Sequence, residues 1–107
     1  MNAIATCLSL DDVRQHIDRL DRELVRLIAE RGAYVRQAAG FKRRAEEIPA
    51  PQRVAQVLAR VDALAVEFGA ERPVVATVWR AMIDAFIAAE RAAHAALHPP
   101  PQTSPSH

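Results

Sequence analysis

The chain has 107 residues, half of them hydrophobic and a quarter charged, which fits one globular domain and not a disordered chain. Fourteen Lys plus Arg stand against thirteen Asp plus Glu, a formal charge of +1, so the strong basic excess of a nucleic-acid binder is absent. Cys7 is the single cysteine, which rules out an intrachain disulfide and a cysteine-pair metal site and favours a reducing compartment. The first ten residues lack a basic start followed by an apolar run, and no uncharged stretch is long enough to span a bilayer. The expectation is a cytoplasmic protein with neither nucleic acid nor membrane as a partner. A lone domain of this size buries only a modest share of its surface, so association with a second copy is expected to add stability.

Residues 1–8 read as an N-terminal extension. Ser9 is placed to cap a helix, with Asp11 and Asp12 complementing the positive end of its dipole. Apolar residues then recur at helical spacing through Leu10, Val13, Ile17, Leu20, Leu24, Leu27, Ile28, Tyr34, Val35, Ala38 and Phe41. No proline follows before Pro49, so the pattern predicts one helix of more than thirty residues. Such a helix is too long to bury against its own short domain and points to an intertwined partner.

Pro49 and Pro51 break the chain, and Pro51 suits the first turn of a second helix whose stripe is Val54, Val57, Leu58, Val61, Leu64, Ala65 and Phe68. Gly69 ends it. After Arg72-Pro73 a third helix is predicted to about Leu97, with Val75, Trp79, Met82, Ile83, Phe86, Ala93 and Leu97 facing inward. The whole is an all-α domain over residues 9–97. Residues 98–107, HPPPQTSPSH, form a proline-rich polar tail that cannot build a core.

The informative residues are charges on the apolar stripes. At 100° per residue, Arg31 and Lys42 fall in the middle of the first helix's stripe, and Glu90 falls in the middle of the third's. An unpaired buried charge costs several kcal/mol, so each cation needs a carboxylate, from the protein or from a ligand. Eleven positions between Arg31 and Lys42 amount to roughly 16 Å of helix rise, and two inward-leaning cations that far apart leave room for a small dianion. Lys42 is the sole lysine among thirteen arginines, consistent with a need for a compact ammonium donor.

Glu90 in apolar surroundings tends to keep its proton and donate a hydrogen bond. The blander alternatives are that Arg31 and Lys42 snorkel to solvent, or that Glu90 pairs with one of them as a structural ion pair. Arg14 lies at the stripe's edge, some 25 Å of helix from Arg31, so it is either a surface residue, the commoner case, or reaches such a site from an antiparallel second subunit. Arg43 and Arg44 read as solvated basic residues at a helix end. The four histidines have no metal-type spacing, no Ser-His-Asp set can be assembled, and the three glycines form no phosphate loop. Any catalysis is therefore expected to need no metal, no cofactor and no covalent intermediate.

The I-D-R-L-D segment at 17–21, Arg31, the pair Phe41-Lys42 and the I-P-A-P-x-R-V segment at 48–54 together resemble the all-helical chorismate mutase superfamily, most closely its isochorismate-pyruvate lyase branch. The resemblance covers about residues 8 to 97 and implies an intertwined homodimer with two equivalent sites. By it, Arg31 binds a substrate carboxylate, and Lys42 contacts a carboxylate and the ether oxygen. Glu90 donates to that oxygen from the other side, Arg53 is a further anion-binding residue, and Ile83 and Ile87 are apolar walls. Arg14 comes from the neighbouring subunit. The implied reaction is pericyclic, on a dicarboxylate of the chorismate type.

Typical mutases of this class have acidic residues where this chain has Ala50 and Val54, which favours the lyase branch, releasing pyruvate from isochorismate to leave salicylate. Glu90 departs the other way, because the lyase branch usually has glutamine there and some mutases use glutamate. A dedicated mutase making prephenate is thus the alternative. In another class stands a non-catalytic helical dimer in which Arg31, Lys42 and Glu90 form a buried ion network.

Overall fold

The computed structural model of the chain describes residues 3–42, 44 and 50–97. Its elements are three helices, α1 (Leu10–Gly40), α2 (Pro51–Phe68) and α3 (Arg72–Leu97), with no strand among the described residues. The chain divides into two compact units between Tyr34 and Val35.

α1 starts where Ser9 predicts it. The Asp12 N–H donates to Ser9 Oγ at 3.1 Å and the Leu8 N–H donates to Asp12 Oδ2 at 3.3 Å, so two backbone donors at the helix entrance are satisfied by side chains. With no proline or glycine before Gly32, the 31 residues run on without a break. Among the side chains of α1, however, the predicted inward stripe is not covered. Leu10, Val13, Ile17, Leu20, Leu24, Leu27 and Ile28 are 39 to 61 % exposed, and Gly32 is the buried residue of the helix. The pattern gave amphipathicity correctly, but burial within one chain does not follow from it. A helix of 31 residues is about 46 Å long, more than a single chain of this size encloses.

α2 and α3 pack on each other as an antiparallel helical hairpin. Pro51 occupies the first turn of α2, where its missing N–H costs nothing, and the Val54 N–H donates to the Ala50 carbonyl at 3.0 Å. Gly69 ends the helix at φ 70°, in the left-handed region. There the Ala70 N–H donates to the Ala65 carbonyl at 2.8 Å and the Gly69 N–H to the Val66 carbonyl at 3.3 Å, a paired closure that satisfies the last carbonyls and turns the chain back. Val61, Ala65 and Ile83 are the buried core at 3 to 7 % exposure, flanked by half-buried Val57, Leu58, Trp79, Met82 and Phe86. Leu64, Phe68 and Leu97, expected to face inward, are exposed, because they lie at the margin or the ends of their stripes. Across the turn, Arg72 donates from Nε and Nη2 to both oxygens of Asp62, at 2.8 and 2.7 Å.

Candidate active site

α1 closes earlier than the periodicity predicts. The Phe41 and Lys42 N–H groups reach back three residues, to the Ala38 and Ala39 carbonyls, each at 3.1 Å, and this tightening of the final turn takes the chain out of the α-helix at Gly40. Lys42 therefore does not project from the helical stripe of α1, and the rise-based spacing from Arg31 holds only as far as Gly40. Released from the helix, the Lys42 side chain extends to α3, where Nζ donates to Glu90 Oε2 at 2.9 Å. The two side chains are 21 % and 11 % exposed.

This is the protein-supplied carboxylate anticipated as one of two ways to neutralise Lys42. It also means that the neighbour of Glu90 is an ammonium, not only an apolar wall. A part-buried pair of this kind is held by Coulomb attraction against desolvation, and its members are costly to separate unless another charge takes over one of them. Opposite charges on one hydrogen bond also leave the ammonium with donors to spare, since it carries three.

The other expected site residues are distributed as follows. Ile83 is buried in the core of the hairpin and Ile87 is half-buried one turn further along α3, on the way to Glu90. Arg53 is exposed in the first turn of α2. Counted from the Gly69 turn, Arg53 and Glu90 lie roughly 25 and 30 Å along their helices, at the same end of the hairpin. Arg31 is half-buried and Arg14 exposed on α1; along that unbroken helix they are about 25 Å apart, so one chain cannot bring both to one small ligand. Arg44 is exposed, as expected of a solvated residue. Arg43 and residues 45–49, including Ile48 and Pro49 of the motif, and the tail 98–107 lie outside the described residues.

Two features were not anticipated. The Asp62–Arg72 fork pins the start of α3 to α2; the hydrogen bond from Arg72 holds the Asp62 carboxyl below the usual carboxylate range, and the same bond raises Arg72. The sequence signal was an acid and an arginine ten residues apart across a glycine turn. Beside the fork, an open groove of about 590 Å³ is lined by Leu58, Asp62, Ala76, Thr77, Arg80, Ala81 and Asp84. It contains none of the expected site residues, and its largely apolar lining offers no converging cations for a dicarboxylate, so it is not the candidate site. Among the described residues no three His, Cys, Asp or Glu side chains cluster as a metal site would require, and no helix is long and apolar enough to cross a membrane.

A three-helix chain that brings a lysine and a glutamate together over 48 positions can be placed by comparison. The chain belongs to the chorismate mutase type II family, whose pattern matches residues 13–91; that span includes Arg14, Arg31, Lys42, Arg53, Ile83, Ile87 and Glu90. Within reach of a narrower likeness, it is 38 % identical to the isochorismate pyruvate lyase of Pseudomonas aeruginosa over 82 residues, 77 % of this chain and 81 % of that protein.

Proposed function

We propose that the chain is a pericyclic enzyme for a chorismate-type dicarboxylate, and that its main reaction is the cleavage of isochorismate to salicylate and pyruvate. The observation that carries this reading is the likeness to an isochorismate pyruvate lyase across four fifths of that protein's length, joined to a part-buried lysine of the expected motif. Ala50 and Val54, where typical mutases carry acids, favour cleavage over rearrangement.

In this reading Arg31 and Lys42 hold the two carboxylates, Arg53 is a further anion-binding residue, and Ile83 and Ile87 are apolar walls against the ring. As the ether C–O bond breaks, negative charge grows on the oxygen. An ammonium fixed beforehand in a half-buried place stabilises that charge more than water does, because it need not reorient. No nucleophile, metal or redox partner takes part, and the electrons move within the substrate alone.

The site is completed by a second copy. The apolar residues of α1 fall in a seven-residue repeat, with Leu10, Ile17 and Leu24 in one position and Val13, Leu20 and Leu27 in the other, and Arg31 continues the first series. An uncovered seam of this length is an interface. The midpoint of residues 14 and 31 falls at Arg22 and Glu23, close to the middle of the seam from Leu10 to Tyr34. An antiparallel two-fold pairing of α1 helices about that point sets the partner's Arg14 beside Arg31.

The test is incubation of the protein with isochorismate and, separately, with chorismate, following salicylate fluorescence and prephenate. Rapid salicylate formation is expected. Prephenate as the faster product would make the chain a mutase, the reading that Glu90 favours, and neither product would leave a non-catalytic helical dimer.

A further inference from the structure

The three most exposed large apolar side chains among the described residues are Ile4 and Leu8, each 93 % exposed, and Phe41, 86 % exposed. Ile4 and Leu8 precede α1 and Phe41 follows it, so the length of that helix keeps them apart within one chain. Leu8 stands just before the cap Ser9, where an apolar residue ordinarily packs on the fourth residue of the helix, here Val13. At 93 % exposure it makes no such contact. Its backbone is nevertheless tied down, because the Leu8 N–H donates to Asp12 Oδ2 at 3.3 Å. The extension is therefore anchored at its root with its apolar side chains left outward.

The antiparallel pairing of α1 described above rests on Arg14, Arg31 and the seam, and makes no use of these three residues. An axis between Arg22 and Glu23 sets Leu10, the first residue of α1, opposite Val35 of the partner subunit. Residues 36–40 of each helix then overhang the start of the other, and only what precedes Leu10 can run beside that overhang. In this register Leu8 falls opposite Gln37 of the partner subunit and Ile4 opposite the partner's Phe41. Phe41 also continues the apolar series of Val13, Leu20, Leu27 and Tyr34 by seven residues, so the seam extends to the end of the overhang. Extended chain from Ile4 to Leu8 spans up to about 13 Å, against roughly 6 Å of helical rise over four residues, which gives Ile4 the reach it needs.

We propose that residues 3–8 of one copy dock on the overhang of the other, with Ile4 and Leu8 against the partner's Phe41, and thereby fix the segment that carries the partner's Lys42. Phe41 and Lys42 are adjacent, and each N–H is held to α1 by one bond reaching back three residues, so their own chain restrains them lightly. Covering Phe41 removes motion from the neighbouring Lys42. Ile4 and Leu8 are positioning residues and touch no substrate. The inference deepens the dimeric reading above and rests on it.

Disulfide trapping tests the contact. In a Cys7→Ser background, Ile4→Cys combined with Phe41→Cys and oxidised with copper phenanthroline is expected to give a covalent species of twice 11.8 kDa. Neither single substitution should do so, because like positions lie at opposite ends of an antiparallel pair. Ile4→Ser with Leu8→Ser is expected to keep the parent's helicity and dimer, since both residues lie outside α1, and to lower kcat for salicylate release on the order of 10-fold, with KM changed less. Ile4→Val with Leu8→Met should restore the rate. A dimeric parent whose double-cysteine variant stays uncrosslinked would overturn the docking while leaving the functional reading intact, as would a double-serine variant with the parent's kcat or a monomeric parent that still forms product. A monomeric parent that forms neither salicylate nor prephenate would overturn both.

Discussion

The hairpin of α2 and α3 and the long helix α1 show two ways in which one apolar pattern can end. In the hairpin the pattern closes on itself: Gly69 turns the chain, Asp62 and Arg72 fork across the turn, and Val61, Ala65 and Ile83 reach 3 to 7 % exposure. In α1 the stripe is at least as regular, yet its leucines and isoleucines are about half exposed. Periodicity states that a face is apolar and says nothing of which molecule covers it. The contrast teaches that this sequence covers the apolar face of its hairpin within one chain and leaves that of its longest helix exposed there.

The contrast is most exposed to a charge placed in the seam. Leu24→Glu is expected to cost on the order of 5 kcal/mol of dimer, since each two-fold contact is lost twice and an unpaired carboxylate is buried in its place. Sedimentation should show a species of twice 11.8 kDa for the parent and a monomer for the variant, with activity lost alongside. A monomeric parent would break the comparison. Within the hairpin, Ile83→Ala should lower stability by roughly 2–5 kcal/mol through the cavity it opens, read from denaturant midpoints at unchanged oligomeric state.

Smaller effects sharpen the account of how the hairpin turns. A Cβ at Gly69 would meet nothing within 4 Å, so Gly69→Ala should cost only the left-handed backbone, about 1 kcal/mol. A larger loss would mean that the turn depends on packing as well. The smallest effect is the pH dependence of the exposed fork. Because Arg72 depresses the Asp62 carboxyl in the folded chain, that contribution is fully present above the ordinary carboxylate value of roughly 4 and fades as pH falls through the depressed one. Arg72→Gln should therefore flatten the acid limb of the stability profile slightly, and a variant as acid-sensitive as the parent would remove the fork from the account.

Much of this fold was legible because its signals are local. Ser9 capped α1, Pro51 opened α2 and Gly69 closed it, each by chemistry that a few neighbouring residues decide. The candidate site was legible as residue types but not as geometry. Lys42 was read on the stripe because a 100° step continues without limit on paper, whereas two three-residue hydrogen bonds end α1 at Gly40. Glu90 was read from its own helix, and its partner 48 positions away depends on how that last turn releases the lysine. The Asp62–Arg72 fork escaped notice for the same reason: neither residue sits on a stripe, and only the turn brings them together.

The central claim is that Lys42 is held part-buried to meet charge on a substrate, beyond joining α3. Salicylate release from saturating isochorismate by Lys42→Ala, compared with the parent at equal far-UV helicity, tests it most directly. The account predicts a fall in kcat of about 100- to 1000-fold in a folded dimer. A variant that turns over near the parent's rate would contradict it and return Lys42 and Glu90 to a purely structural pair.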